Sequence, residues 1–163
     1  MTEITNLTEM KDMLKVPLGN QIGRVHRLWR SAITASVQSL GMTEARWTAM
    51  LHLKMLGEGA TQQALAQELG IEMPSLSRTL GQLVEQDMLQ RQPHPTDKRA
   101  QCLYFTATGQ QMLAKLIERT TQIRQALYQD LTAAAVQQLM QSLDIMERNA
   151  RTLLLNTATE NKA

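Results

Sequence analysis

The chain has 163 residues, with 17 Lys and Arg against 15 Asp and Glu, a formal net charge of +2 that is too small to mark a nucleic-acid binder by itself. Its length can bury a core as one domain or two interleaved subdomains, and its single cysteine, Cys102, excludes an intramolecular disulfide and a paired-cysteine metal or redox site. The opening stretch MTEITNLTEMKDMLK has neither the apolar run of a leader peptide nor a membrane span, so a cytoplasmic protein with no membrane partner is expected.

Ile4, Leu7 and Leu14 suggest a small N-terminal helix. From Pro17 onward, Leu18, Ile22, Val25, Trp29, Ile33, Val37 and Leu40 recur every three or four residues, the apolar stripe of a long helix with Pro17 in its first turn and Gly41 at its end. Thr43 is placed to cap a second helix through its hydroxyl. That helix carries Trp47, Met50, Leu51 and Met55 on most sides, which makes it central, and Gly57 stops it. A third, short helix runs from a cap at Thr61 through Leu65 and Leu69 to Gly70, and a fourth starts at Pro74 with Leu76, Leu80, Leu83 and Val84 on one face. LQRQ and QCLYFT then read as a two-stranded hairpin whose long tip holds Pro93 and Pro95. Thr106 caps a fifth helix with Met112, Leu116, Ile123 and Leu127. A sixth carries Val136, Leu139, Met140, Leu143, Met146, Ala150 and Leu153, more apolar surface than one neighbour can cover, which predicts an intertwined homodimer.

Met50, Met112, Met140 and Met146 are read as core, and Cys102 as a small apolar filler of its strand, the alternative being an oxidation sensor. GEGATQ, Gly57 to Gln62, is a turn, since it lacks the third glycine and the preceding strand of a phosphate loop. His26, His52 and His94 are scattered, without acids at metal-ligand spacing, so no catalytic site, metal or cofactor is expected and the protein is read as a non-enzyme.

Gln62 to Leu83 meets the demands of a helix-turn-helix. Ala66 is small enough for the helix contact, Gly70 can take positive φ at the turn, and Leu65, Leu69, Ile71, Leu76 and Leu80 close the corner. With the fourth helix's leucines inward, Ser75, Arg78, Gln82 and Glu85 point outward and Ser77 lies on the flank. Arg can bond guanine bidentately, Gln can bond adenine, and Ser can reach a phosphate or a base; the plain alternative is a solvated helix face. Charge is distributed accordingly: from Met55 to Gln90 the only basic residue is Arg78, whereas Arg91, Lys98 and Arg99 follow. A hairpin directly after a helix-turn-helix makes a winged helix. Arg99 at its tip suits minor-groove insertion, Lys98 a phosphate, and Asp97 is expected to hold Arg99 or the loop backbone in place.

LAQELGIEMPSLSRTLGQLVEQDMLQRQPHPTDKRAQCLYFTATG resembles the DNA-binding core of MarR-family winged-helix regulators, nearest the SlyA branch, through its PSLSRTL helix, DKRA wing and FTATG helix start. PLGNQIGRVHRLWR and MTEARWTAMLHL are similar to that branch's first two helices. The departures are a longer acidic N-terminus, Thr2 to Val16, and the Pro93 and Pro95 pair.

The resemblance implies a mostly α fold with a β-hairpin wing, a winged helix-turn-helix flanked by N- and C-terminal dimerisation helices. Residues 1–42 and 107–163 form the dimerisation region and 43–106 the DNA-binding lobe. It implies a sequence-specific transcriptional regulator binding double-stranded DNA as a homodimer at near-palindromic sites, with Arg78 the recognition-helix arginine and Arg99 the wing arginine, and Lys98 where relatives often have Arg. A small-molecule site responsive to aromatic carboxylates is also implied, with Thr79 at a lining position. Arg27 and Arg30 are spaced to clamp a carboxylate and Trp47 to stack on a ring, against the plain reading of solvated or dimer-bridging arginines and a core tryptophan. The alternative function is a winged-helix protein-interaction module without DNA binding.

Overall fold

The computed structural model describes residues 18–97 and 99–160, the side chains of 158–160 excepted. The expected N-terminal helix with Ile4, Leu7 and Leu14, the Pro17 first turn and the Lys98 contact lie outside the described residues. In chain order the elements are α1 (Leu18–Val37), a 3-10 turn (Gln38–Leu40), α2 (Glu44–Leu56), α3 (Gln62–Leu69), α4 (Met73–Glu85), β1 (Leu89–Pro93), β2 (Gln101–Phe105), α5 (Ala107–Leu127) and α6 (Ala133–Glu160). The chain divides into two units, residues 1–123 and residues 124–163.

The first unit's core is built from the stripes read in the sequence. Val37, Met50, Leu53, Leu65, Leu76, Leu80, Leu83, Leu89, Leu103 and Leu116 are completely buried, and Trp47 is buried with its indole N–H donating to Thr34 Oγ1 at 3.1 Å. Several expected positions fall outside: Leu18, Ile22 and Val25 of the first stripe are exposed, and so is Ile71, expected to close the helix-turn-helix corner. Met55 is 74% exposed, because five residues of helix carry it to the face opposite Met50, and Val84 lies exposed at the margin of the α4 stripe. Met112 is only partly buried.

The helix ends follow the sequence with one exception. Gly41 is left-handed at φ 70, but the turn before it tightens to 3-10. Thr43 sits at the N-cap of α2 without a cap bond; its hydroxyl instead accepts from Arg46 Nε at 3.2 Å. Thr61 does cap α3, accepting from the Ala64 N–H at 3.1 Å, and Gly70 closes it at φ 62. Thr61→Ala is expected to lower stability by about 1 kcal/mol, read as a shifted urea midpoint with unchanged slope.

Strands β1 and β2 pair antiparallel, Leu89 opposite Phe105 and Pro93 opposite Gln101. β2 also has a partner on its other side: the Gly59 N–H donates to the Leu103 carbonyl at 2.9 Å and the Leu103 N–H to the Ala60 carbonyl at 3.0 Å, with Thr61 bridging Cys102. Sandwiched in this way, Cys102, Leu103 and Phe105 are all buried, and Cys102 is a free thiol. Between α4 and β1, Asp87 adopts φ 55. Its carbonyl accepts the Thr106 hydroxyl and its carboxylate accepts the Thr108 hydroxyl at 3.1 Å, while Thr106 Oγ1 accepts the Gly109 N–H at 3.0 Å. The start of α5 is thereby tied to the end of α4.

In the second unit, Thr132 caps α6 by accepting the Ala135 N–H at 3.1 Å. Leu139, Met140, Leu143, Met146 and Leu153 of α6 are exposed, so Met140 and Met146 are not core residues of the single chain. No described helix is long and apolar enough to cross a membrane.

Candidate nucleic-acid interface

Helix α4 presents two chemically distinct sides. Leu76, Leu80 and Leu83 are sealed in the core, whereas Ser75, Ser77, Arg78 and Gln82 are exposed. This separation follows from leucines at spacings of four and three, with Pro74 setting the first turn. The Ser77 carbonyl accepts from Arg91 Nη2 of β1 at 3.3 Å, so the hairpin root is bonded to the middle of this helix.

The hairpin tip is organised by its own polar groups. The Arg99 N–H donates to Asp97 Oδ1 at 2.9 Å, so Asp97 holds the backbone at Arg99 and leaves the exposed guanidinium unengaged by that carboxylate. His94 Nδ1 accepts the N–H groups of Thr96 at 3.3 Å and Asp97 at 3.2 Å, and the His94 N–H donates to the Ala100 carbonyl at 3.0 Å. Pro93 ends β1 and Pro95 belongs to this turn. Beneath the tip, a cleft of about 310 Å³ runs past Gln62 and Gln63 at the start of α3, Met73 at the start of α4, and Arg99. The structure thus brings the tip arginine and the first turn of α4 to one recess.

A second cleft, of about 560 Å³, lies on the other side of α4, among residues of α1, α2, α3 and α4. Of the residues read from the sequence as ligand-binding, Arg30 and Thr79 line it, and Arg27 and Trp47 do not. Arg30 Nη2 is paired with Glu44 at 2.6 Å. His52 Nδ1 lies 3.5 Å from Glu68 without a hydrogen bond, and among the described residues the Thr48 hydroxyl and Arg30 Nε are buried without a hydrogen-bond partner. His26, Glu44, Thr48, His52 and Glu68 were not signalled by any motif, since they converge from three separate helices. Among the described residues no group of three His, Cys, Asp or Glu side chains could hold a metal ion.

Residues 40–100 match the model of the MarR family. Among solved structures, the transcriptional regulator PA3341 is similar with a TM-score of 0.78 and 26% identity, over 83% of this chain and 98% of that one. Wild-type MarR from E. coli in its apo form gives a TM-score of 0.69 and 25% identity, over 80% and 96%. A mutant of E. coli MarR complexed with operator DNA gives 0.71 and 23%, over 87% and 99%. The fold is that of these regulators: a winged helix with flanking helices.

Proposed function

We propose that the protein, whose residues 40–100 match the MarR family model, is a MarR-family transcriptional regulator of the SlyA branch that binds double-stranded DNA in a sequence-specific manner as a cytoplasmic homodimer. The observation that carries the proposal is the exposed polar row Ser75, Ser77, Arg78 and Gln82 on a helix whose opposite face is completely buried, bonded through Arg91 to a hairpin that presents Arg99. Such a row enters the major groove with its N-terminal residues at base edges, and Arg99 reaches the flanking minor groove. That a mutant of E. coli MarR with this fold is complexed with operator DNA supports DNA as the partner.

The exposed Leu139, Leu143, Met146 and Leu153 of α6 support the dimer, because an apolar row of that length is costly to leave in water. Two copies related by a two-fold axis read a near-palindromic site with half-sites about 34 to 36 Å apart. The 560 Å³ cleft, which shares Ser75, Leu76 and Thr79 with α4, is the effector site in this reading.

Selection of bound sites from random DNA, followed by gel shifts across a salt series, tests the proposal. A two-fold symmetric consensus and a linear fall of log affinity with log salt are expected, and sedimentation should give a dimer at micromolar concentration. Lys98→Ala should lower the salt slope by about 1 without altering the consensus. A footprint without two-fold symmetry would overturn the DNA reading, and no shift at any salt would leave the protein-interaction module in its place.

A further inference from the structure

We propose that the cleft lined by Arg30, Glu44, His52 and Glu68 takes a small organic cation, an aromatic amine with an oxygen substituent, whose ammonium group is held by Glu68; this rests on the effector reading of that cleft. The balance of charge is the first argument. The walls contribute two carboxylates, Glu44 and Glu68, and one guanidinium, Arg30, which Glu44 already holds at 2.6 Å. A carboxylate ligand must displace Glu44 to reach Arg30 and adds a further negative charge beside Glu68. Counting those three side chains, the cleft keeps one negative charge in excess, and a cation removes it.

The unpartnered polar atoms point the same way. Thr48 Oγ1 and His52 Nδ1 are buried without a hydrogen-bond partner among the described residues, and Glu68 has His52 at 3.5 Å without a hydrogen bond. An ammonium group brings N–H donors, which suit the Thr48 hydroxyl oxygen and the Glu68 carboxylate together. Arg30 Nε is a donor left over, and a phenol or ether oxygen on the ligand gives it an acceptor. Leu69, Ile71 and Leu76 supply the apolar wall for a ring, and the volume falls within the usual range for organic ligands. Leu76 belongs to α4, so occupancy is felt by the helix that carries Arg78.

Calorimetric titration of the full-length protein at pH 8 with three probes of one shape isolates charge: tyramine, 4-ethylphenol and 3-(4-hydroxyphenyl)propionate. Tyramine should bind about tenfold tighter than the propionate. Glu68→Gln, at an exposed carboxylate and checked for unchanged helical circular dichroism, should erase that preference while leaving 4-ethylphenol binding as it was. If the propionate binds as tightly as tyramine, or Glu68→Gln leaves tyramine untouched, the cation assignment is overturned while the effector site stands. If none of the three binds, the effector reading itself falls and the assignment with it.

Discussion

Gly109→Ala is expected to destabilise the protein by about 3 kcal/mol, lowering Tm by about 6 to 12 °C for a chain of this size. A methyl group at that position would fall on the Met88 carbonyl oxygen, with the Met88 carbonyl carbon at 2.8 Å and Cα at 3.2 Å. All three are backbone atoms, so no side chain can swing aside. The backbone around Met88 cannot yield cheaply either, because its carbonyl accepts the Thr106 N–H at 3.2 Å and its N–H donates to the Leu83 carbonyl at 2.8 Å. Relief requires α5 to move off the α4–β1 junction, which breaks the Thr106 and Thr108 bonds to Asp87 together. Thermal unfolding of Gly109→Ala beside the exposed Gln111→Ala on the same helix provides the measurement. Equal midpoints for the two variants would show that the close approach has no energetic weight.

Arg78→Ala carries the largest expected effect on binding. The residue is exposed on α4 one turn beyond Pro74, and each half-site is expected to lose about 1 to 3 kcal/mol when a bidentate base contact is removed. A dimer on two half-sites loses about 2 to 6 kcal/mol. The loss should be confined to one base position in each half, so the selected consensus becomes degenerate there and stays sharp elsewhere. Arg78→Lys should not restore it, since an ammonium group lacks the planar fork that matches guanine O6 and N7. An unchanged consensus for Arg78→Ala would remove Arg78 from base reading, and a uniform loss across all sequences would make it a phosphate contact.

The stripe of α4 was legible in the sequence, whereas that of α1 was so only in its second half, since Ile33 and Val37 are buried and Leu18, Ile22 and Val25 are exposed. Leu76, Leu80 and Leu83 announced both the buried side of α4 and, by subtraction, its exposed row; Thr61 and Gly70 announced the ends of α3 because their roles need a hydroxyl and a positive φ. Contacts made through backbone groups were not legible. The ladder between residues 59–60 and Leu103 uses only N–H and carbonyl groups, so GEGATQ read as a plain turn, and Gly59, at φ 86 beside the Tyr104 hydroxyl, gave no sign of its place in a sheet. Arg91 was visible as a charge but not as a donor to the Ser77 carbonyl, and His94 was set aside as a metal ligand although it is the acceptor around which the hairpin tip closes. The same limit applies to the larger cleft. Arg30 was found from its spacing to Arg27, whereas Glu44, which takes up its charge, is separated from it by the end of α1 and a turn.

The two attachments of the hairpin, one through backbone groups and one through the Arg91 side chain, bear on how DNA would be measured. β2 is laddered to the residues leading into α3, and Arg91 fastens β1 to the middle of α4. On the proposed reading the molecule is a caliper: the span between its major-groove jaw and its minor-groove jaw is built in and does not adjust to the operator. One base pair inserted between the two contacts moves the second by about 3.4 Å along the axis and about 34° around it. Operators would then be recognised by the count of bases between contacts as strictly as by the bases touched.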